Sequence, residues 1–184
     1  MRAVPPGIEL RRARPDELGR VIAFVRAGID AYRSWAPDWT PVDPSPERRA
    51  KLAELFADDE RAWVLLALDE AGQLAGLVSL SRETAADARP PRPGTIYLWQ
   101  LFAAPAWQGT GLAQALMDRA IEEARRRGFS RITLWAAEGA AQARCFYERE
   151  GWTPTGERDD GARFGLPLIQ YEHNLKTEPG SVFR

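Results

Sequence analysis

Apolar residues recur along the chain at two spacings, every second position and every third or fourth, and the order of the two predicts the elements. Residues 8–12 alternate apolar with charged side chains and read as a first strand. Pro15 then opens a helix with Asp16 and Glu17 in its positive first turn, and Leu18, Val21, Ile22, Val25 and Ile29 share one helical face. Ser45 can cap a second helix ahead of Pro46; that helix buries Leu52, Leu55 and Phe56 and ends near Asp58. Two apolar strands, 62–68 and 74–80, flank Asp69-Glu70-Ala71-Gly72, a sequence that accepts hairpin geometry.

Residues 95–102 form a fourth strand, rich in β-branched and aromatic side chains. The clearest helix covers 111–127, where Leu112, Leu116, Ala120, Ile121 and Ala124 recur at helical spacing and three arginines suit the negative end before Gly128. A fifth strand at 131–136 precedes a short helix at 140–150 with Ala143, Phe146 and Tyr147 inward and Gly151 as its stop. Strands at 152–158 and 163–173 flank Asp159-Asp160-Gly161, and 177–184 reads as a loose tail. Two segments resist regular structure: 32–46, a proline-rich loop carrying Trp35 and Trp39, and the stretch before the fourth strand with Pro90, Pro91 and Pro93.

Length and composition narrow the class. A chain of 184 residues supports one buried core, hence a single domain over 1–184. With 25 basic and 26 acidic residues it has no net field to draw it onto nucleic acid or an anionic membrane, so neither is expected as a partner. One cysteine, Cys145, and one histidine, His173, cannot build a zinc cage, and no metal is expected. The N-terminus lacks a signal-peptide core and the longest apolar run, 63–68, is far too short to span a bilayer, so a soluble, unprocessed, cytoplasmic protein is expected.

The chemistry concentrates where the fourth strand meets the long helix, at Pro105-Ala106-Trp107-Gln108-Gly109-Thr110-Gly111-Leu112-Ala113. Unpaired N–H groups of a first helical turn, the helix dipole and glycines that let a ligand approach together make an anion site. Nucleotides, dinucleotides and coenzyme A all carry such phosphates. A dinucleotide fingerprint would need a small residue where Gln114 stands, and there is no GK[ST] phosphate loop.

Gln108-Gly109-Thr110-Gly111-Leu112-Ala113 resembles the pyrophosphate loop of the GNAT superfamily of acyl-CoA-dependent N-acetyltransferases: Gln or Arg, two residues, Gly, one residue, Gly or Ala. Ala143-Arg144-Cys145-Phe146-Tyr147, followed by Gly151-Trp152, is similar to the second signature of that family. The element order over 8–174 is also similar, which implies an α/β (α+β) fold with a mixed central sheet of about seven strands flanked by about four helices, and a tail at 175–184. The resemblance further implies that amides of residues 109–113 hold the pyrophosphate of acetyl-CoA and that a strand bulge near Leu101, Phe102 and Ala103 pairs with the pantetheine arm. Ala140 stands where many members carry an Asn that helps hold that arm. The acceptor would be a small-molecule or peptide amine, and a homodimer is compatible with the family.

Amine acetylation needs an aligned thioester, a donor to polarise its carbonyl and an acid for the leaving thiolate. By resemblance Tyr147 is the acid, and its plain alternative is a packing role. The oxyanion donor would be a backbone N–H, with Phe102 and Ala103 as the nearest choices. The fourth strand offers Gln100 rather than a carboxylate base; Glu83, Glu138, His173 or a water chain are the other candidates. Cys145 reads as a small core residue, so direct transfer is favoured over an acetyl-enzyme. Tyr32, Trp35, Trp39, Trp99 and Trp135 are the candidates for the acceptor site, and Asp159 with Asp160 could attract an ammonium. Ala140 and the missing strand carboxylate keep a second possibility open, a non-catalytic acyl-CoA sensor or scaffold.

Overall fold

A computed structural model describes residues 1–40, 45–82, 92–161 and 164–175. Among these, β1 (Glu9–Arg12), β2 (Ala62–Leu68), β3 (Leu74–Ser81), β4 (Thr95–Ala103), β5 (Arg131–Ala137), β6 (Thr153–Asp159) and β7 (Leu168–Asn174) form one sheet ordered β1-β2-β3-β4-β5-β7-β6. Neighbours are antiparallel except β4 and β5, which run parallel. A parallel pair needs a long crossover, and α3 (Leu112–Arg126) supplies it.

The other helices are α1 (Leu18–Asp30), α2 (Pro46–Ala57) and α4 (Ala141–Arg149). Alternation along each strand builds a core on both faces of the sheet. On one face Val21 and Val25 of α1 pack with Val64, Leu66 and Leu77. On the other, Leu112, Leu116 and Ala120 of α3 pack with Leu65, Val78, Leu98, Ile132 and Leu134, and Phe146 and Tyr147 of α4 join them. Ser45 caps α2 as expected, accepting from the Arg48 amide at 3.3 Å.

Several boundaries differ from the sequence reading. Pro15 opens a 3-10 turn, Pro15–Glu17, and α1 starts only at Leu18. The cause is Glu17, a buried carboxylate that accepts from the Arg11 guanidinium at 2.7 and 2.8 Å and from the Arg14 amide at 2.9 Å. These bonds hold its lowered pKa near 2, with the Arg11 contact the largest cause. The expected loop at 32–46 begins as a 3-10 turn, Ala31–Ser34. β7 starts at Leu168 rather than 163, because the Gly165 amide bonds back to Gly161 O at 2.6 Å and closes a turn ahead of it. Leu175, assigned to the tail, is buried and donates its amide to Ser130 O at 2.9 Å. Pro90, Pro91, Glu83 and residues 176–184 lie outside the described residues.

Two irregularities of β4 position everything that follows. It pairs with β5 only at Thr95, Ile96 and Tyr97, after which the strands part and leave a fork. Its register against β3 shifts between Ser79↔Gln100 and Leu80↔Leu98, so Trp99 is the extra residue of a bulge. The bulge thus falls at Trp99 and not at Leu101, Phe102 or Ala103.

Candidate active site

The loop from β4 to α3 is shaped by two left-handed glycines, Gly109 at φ +76° and Gly111 at φ +91°. Side chains added there would meet nothing within 4 Å, so it is the backbone conformation that calls for glycine. Gly111 is the N-cap of α3 and offers no side chain to its first amides. The Thr110 hydroxyl turns away and donates to Trp107 O at 2.7 Å. The first turn of α3, with Leu112 buried and Ala113 half-buried, therefore presents main-chain donors and the positive dipole end beside the exposed residues Gln108, Gly109 and Thr110.

Above this helix end lies the open edge of β4. The Ala104 amide bonds to Ala75 O at 2.8 Å, and antiparallel pairing alternates. Gln100 and Phe102 therefore turn their amides toward β3, while Leu101 and Ala103 turn theirs into the fork. Phe102 is thereby removed as an oxyanion donor, and its ring serves packing instead: a Cβ on Gly28 of α1 would lie 2.5 Å from it.

Tyr147, on α4, is half-buried against the core that α3, β4 and β5 share. Its ring meets Phe146, Trp152 and Tyr171 at centroid distances of 5.5, 6.0 and 6.1 Å. Among the described residues nothing hydrogen-bonds its hydroxyl. Burial raises its pKa, and the nearby Tyr32 phenol adds to the shift. The polar groups around it are occupied with one another: Arg144 Nε donates to the Tyr171 hydroxyl at 3.2 Å, which donates to Glu148 Oε1 at 2.8 Å. Ala140 is the buried N-cap of α4 and provides no capping side chain. Cys145, expected in the core, is exposed.

The aromatic candidates divide. Tyr32, Trp35, Trp39 and Trp135 gather around Ala137, Ala140, Ala143 and Leu168. Phe164, which the sequence reading did not single out, joins them with its ring 5.0 Å from Trp39 and its carbonyl accepting from Trp39 Nε1 at 2.8 Å. The one local signal for it is an aromatic residue placed before Gly165, just past a turn. Trp99 sits apart, in a small cavity under α1 and α2 beside Gln100. Of the candidate bases, Glu138 pairs with Arg158 at 3.0 Å. His173 stacks on Trp152 at 5.4 Å with its pKa lowered by burial. Asp159 accepts from the Gly161 amide at 2.8 Å. No described group of His, Cys, Asp and Glu could hold a metal ion, and no described helix is long and apolar enough to cross a membrane.

The fold is similar to that of solved acetyltransferases. The putative acetyltransferase yncA from Salmonella typhimurium, solved with its cofactor acetyl-CoA, is 22% identical with a TM-score of 0.68, covering 95% of this chain and 97% of that one. PaiA N-acetyltransferase from Thermoplasma acidophilum, in complex with coenzyme A, is 17% identical with a TM-score of 0.66, covering 91% and 98%. The chain belongs to the acetyltransferase (GNAT) family, whose model matches residues 28–152. It is 34% identical over 119 residues to a mycothiol acetyltransferase of Beutenbergia cavernae, covering 65% of this chain, and 26% identical over 176 residues to one of Propionibacterium freudenreichii, covering 96%. The match spans only 36% and 52% of those two relatives.

Proposed function

We propose that the protein transfers an acetyl group from acetyl-CoA to a primary amine directly, in a ternary complex. The observation that carries this is the Tyr147 phenol, half-buried, without a hydrogen-bond partner among the described residues, and packed against the same core as the diverging strands β4 and β5 and the uncapped start of α3. The residues present fit the donor. Amides of residues 109–113 match a diphosphate. Leu101 and Ala103 offer alternating main-chain donors and acceptors to an extended arm, with Ala140 and Ala143 alongside. The donor supplies an acyl thioester, whose C–S bond breaks as the C–N bond to the amine forms.

The protein's part is positioning and proton traffic. An amide turned into the fork, from Leu101 or Ala103, is the oxyanion donor. Tyr147 hands its proton to the leaving sulfur and recovers one from the acceptor nitrogen through water, so protons balance. A thiol ordinarily ionises near ~8.5, below a buried phenol, which makes that transfer uphill in water. Desolvation in the fork raises the thiol too and narrows the gap. Cys145, facing solvent, has no part in this scheme.

Release of free thiol from acetyl-CoA over a panel of amines tests the reading. Turnover that drops in Tyr147→Phe while coenzyme A affinity holds supports it. Tight coenzyme A binding with no turnover on any amine would favour the sensor, the reading that Ala140 and Gln100 support.

A further inference from the structure

The bulge at Trp99 has a chemical result. In a regular strand Trp99 and Gln100 would face opposite sides of the sheet, but the extra residue turns both to the face covered by α1 and α2. There they line a cavity of about 40 Å³ together with Val21, Ile22, Leu52 and Phe56. Its other polar lining group is Ser79, whose hydroxyl donates to Gln100 Oε1 at 3.3 Å. With that oxygen engaged, the side-chain nitrogen of Gln100 is left as a donor without a partner among the described residues. The next residue along β4 is Leu101, whose amide faces the fork. The cavity thus lies on the opposite face from α3, one residue from the edge where the thioester would lie.

Size and polarity define what fits. A cavity of roughly 150 Å³ holds benzene, so one of this size holds about one or two carbon atoms. Among the described residues no carboxylate lines it, and Gln100 has a donor to offer an oxygen.

We infer that this cavity takes the short aliphatic branch of the acceptor and that Gln100 donates to a neighbouring carbonyl oxygen, so the acceptor is an α-amino amide with a small side chain. The inference rests on the acyl-transfer reading for the amine's position, but the cavity can be tested by binding alone.

The experiment is calorimetric titration of glycinamide, alaninamide, valinamide and phenylalaninamide into the protein saturated with coenzyme A. Valinamide should bind about tenfold tighter than glycinamide, and phenylalaninamide should lose that gain. Ile22→Phe, or Leu52→Phe should the first fold poorly, fills the cavity and should erase the preference while leaving coenzyme A affinity unchanged. Gln100→Leu should weaken all four amides alike. Equal affinities across the series, or a valinamide preference that survives both filled variants, would overturn the inference. If coenzyme A itself gives no heat, the acyl-transfer reading falls, and the same titrations into the free protein still decide the cavity. A tripeptide beginning with valine then separates the two sources of this chemistry, binding at least as tightly as valinamide for a peptide end and not at all for a free small molecule.

Discussion

Trp35 occupies the space that a side chain on Gly139 would need: a Cβ there would lie 2.6 Å from Cε3 and Cζ3 of the indole. Gly139 is not among the positive-φ glycines, so here glycine provides room rather than conformational freedom. The contact seats the aromatic loop against the start of α4. Gly139→Ala should therefore destabilise the fold by about 1–3 kcal/mol through overpacking. In a Trp35→Ala background the same change should cost far less, and a double-mutant cycle of thermal midpoints would measure the coupling.

Gly111 presents the opposite case, with open space around it but a left-handed backbone. Gly111→Ala should cost about 1–2 kcal/mol in stability from the backbone alone. Gly111→Asp adds a negative charge where the proposed diphosphate lies, and calorimetry should show coenzyme A affinity lower by roughly tenfold or more.

Tyr147 carries a pH signature. The protonated phenol is the active form and burial raises its pKa above the ordinary value of 10.0, so activity should be lost only as pH rises beyond that point. Ionisation of the acceptor should govern the acid limb. Tyr147→Phe should lower kcat by about 10²-fold with little change in the KM for acetyl-CoA, and the alkaline limb of the pH–rate profile should vanish.

Glu17 ties β1 to the turn before α1, and its pKa is lowered from 4.5 to about 2 by the Arg11 guanidinium first. A depressed carboxylate contributes stability that is fully present above 4.5 and fades as pH falls toward 2. Glu17→Gln should lower the thermal midpoint at neutral pH by about 5 °C, and the two melting curves should converge over that acidic window.

What could be read in advance follows from how local each signal is. The long amphipathic repeat of α3 and the glycines before it are contained in one short segment, and both stood where expected. The bulge was expected near Leu101, Phe102 and Ala103 by resemblance alone, and its place at Trp99 is set by the pairing with β3, a partner distant in sequence. Cys145 was misread although the period was available: with Ala143, Phe146 and Tyr147 turned inward, a helix of 3.6 residues per turn carries residue 145 outward. The division of the aromatic residues was beyond reach, because Trp39 meets Phe164 and Trp35 meets Gly139 only through the closure of distant loops. Ser79 showed nothing in advance, and its hydroxyl acquires meaning only opposite Gln100.

Among the described residues, the β4–β5 ladder that joins the four strands on one side of the sheet to the three on the other runs through Thr95, Ile96 and Tyr97, with Gly94 O accepting from the Ser130 and Arg131 amides at its start. Past them the two halves are held together through side chains and crossing helices, with no shared ladder. An extended molecule with alternating donors and acceptors, laid between Leu101 and β5, would supply the missing rungs. Loading such a molecule and knitting the two half-sheets into one continuous fabric are then a single physical event.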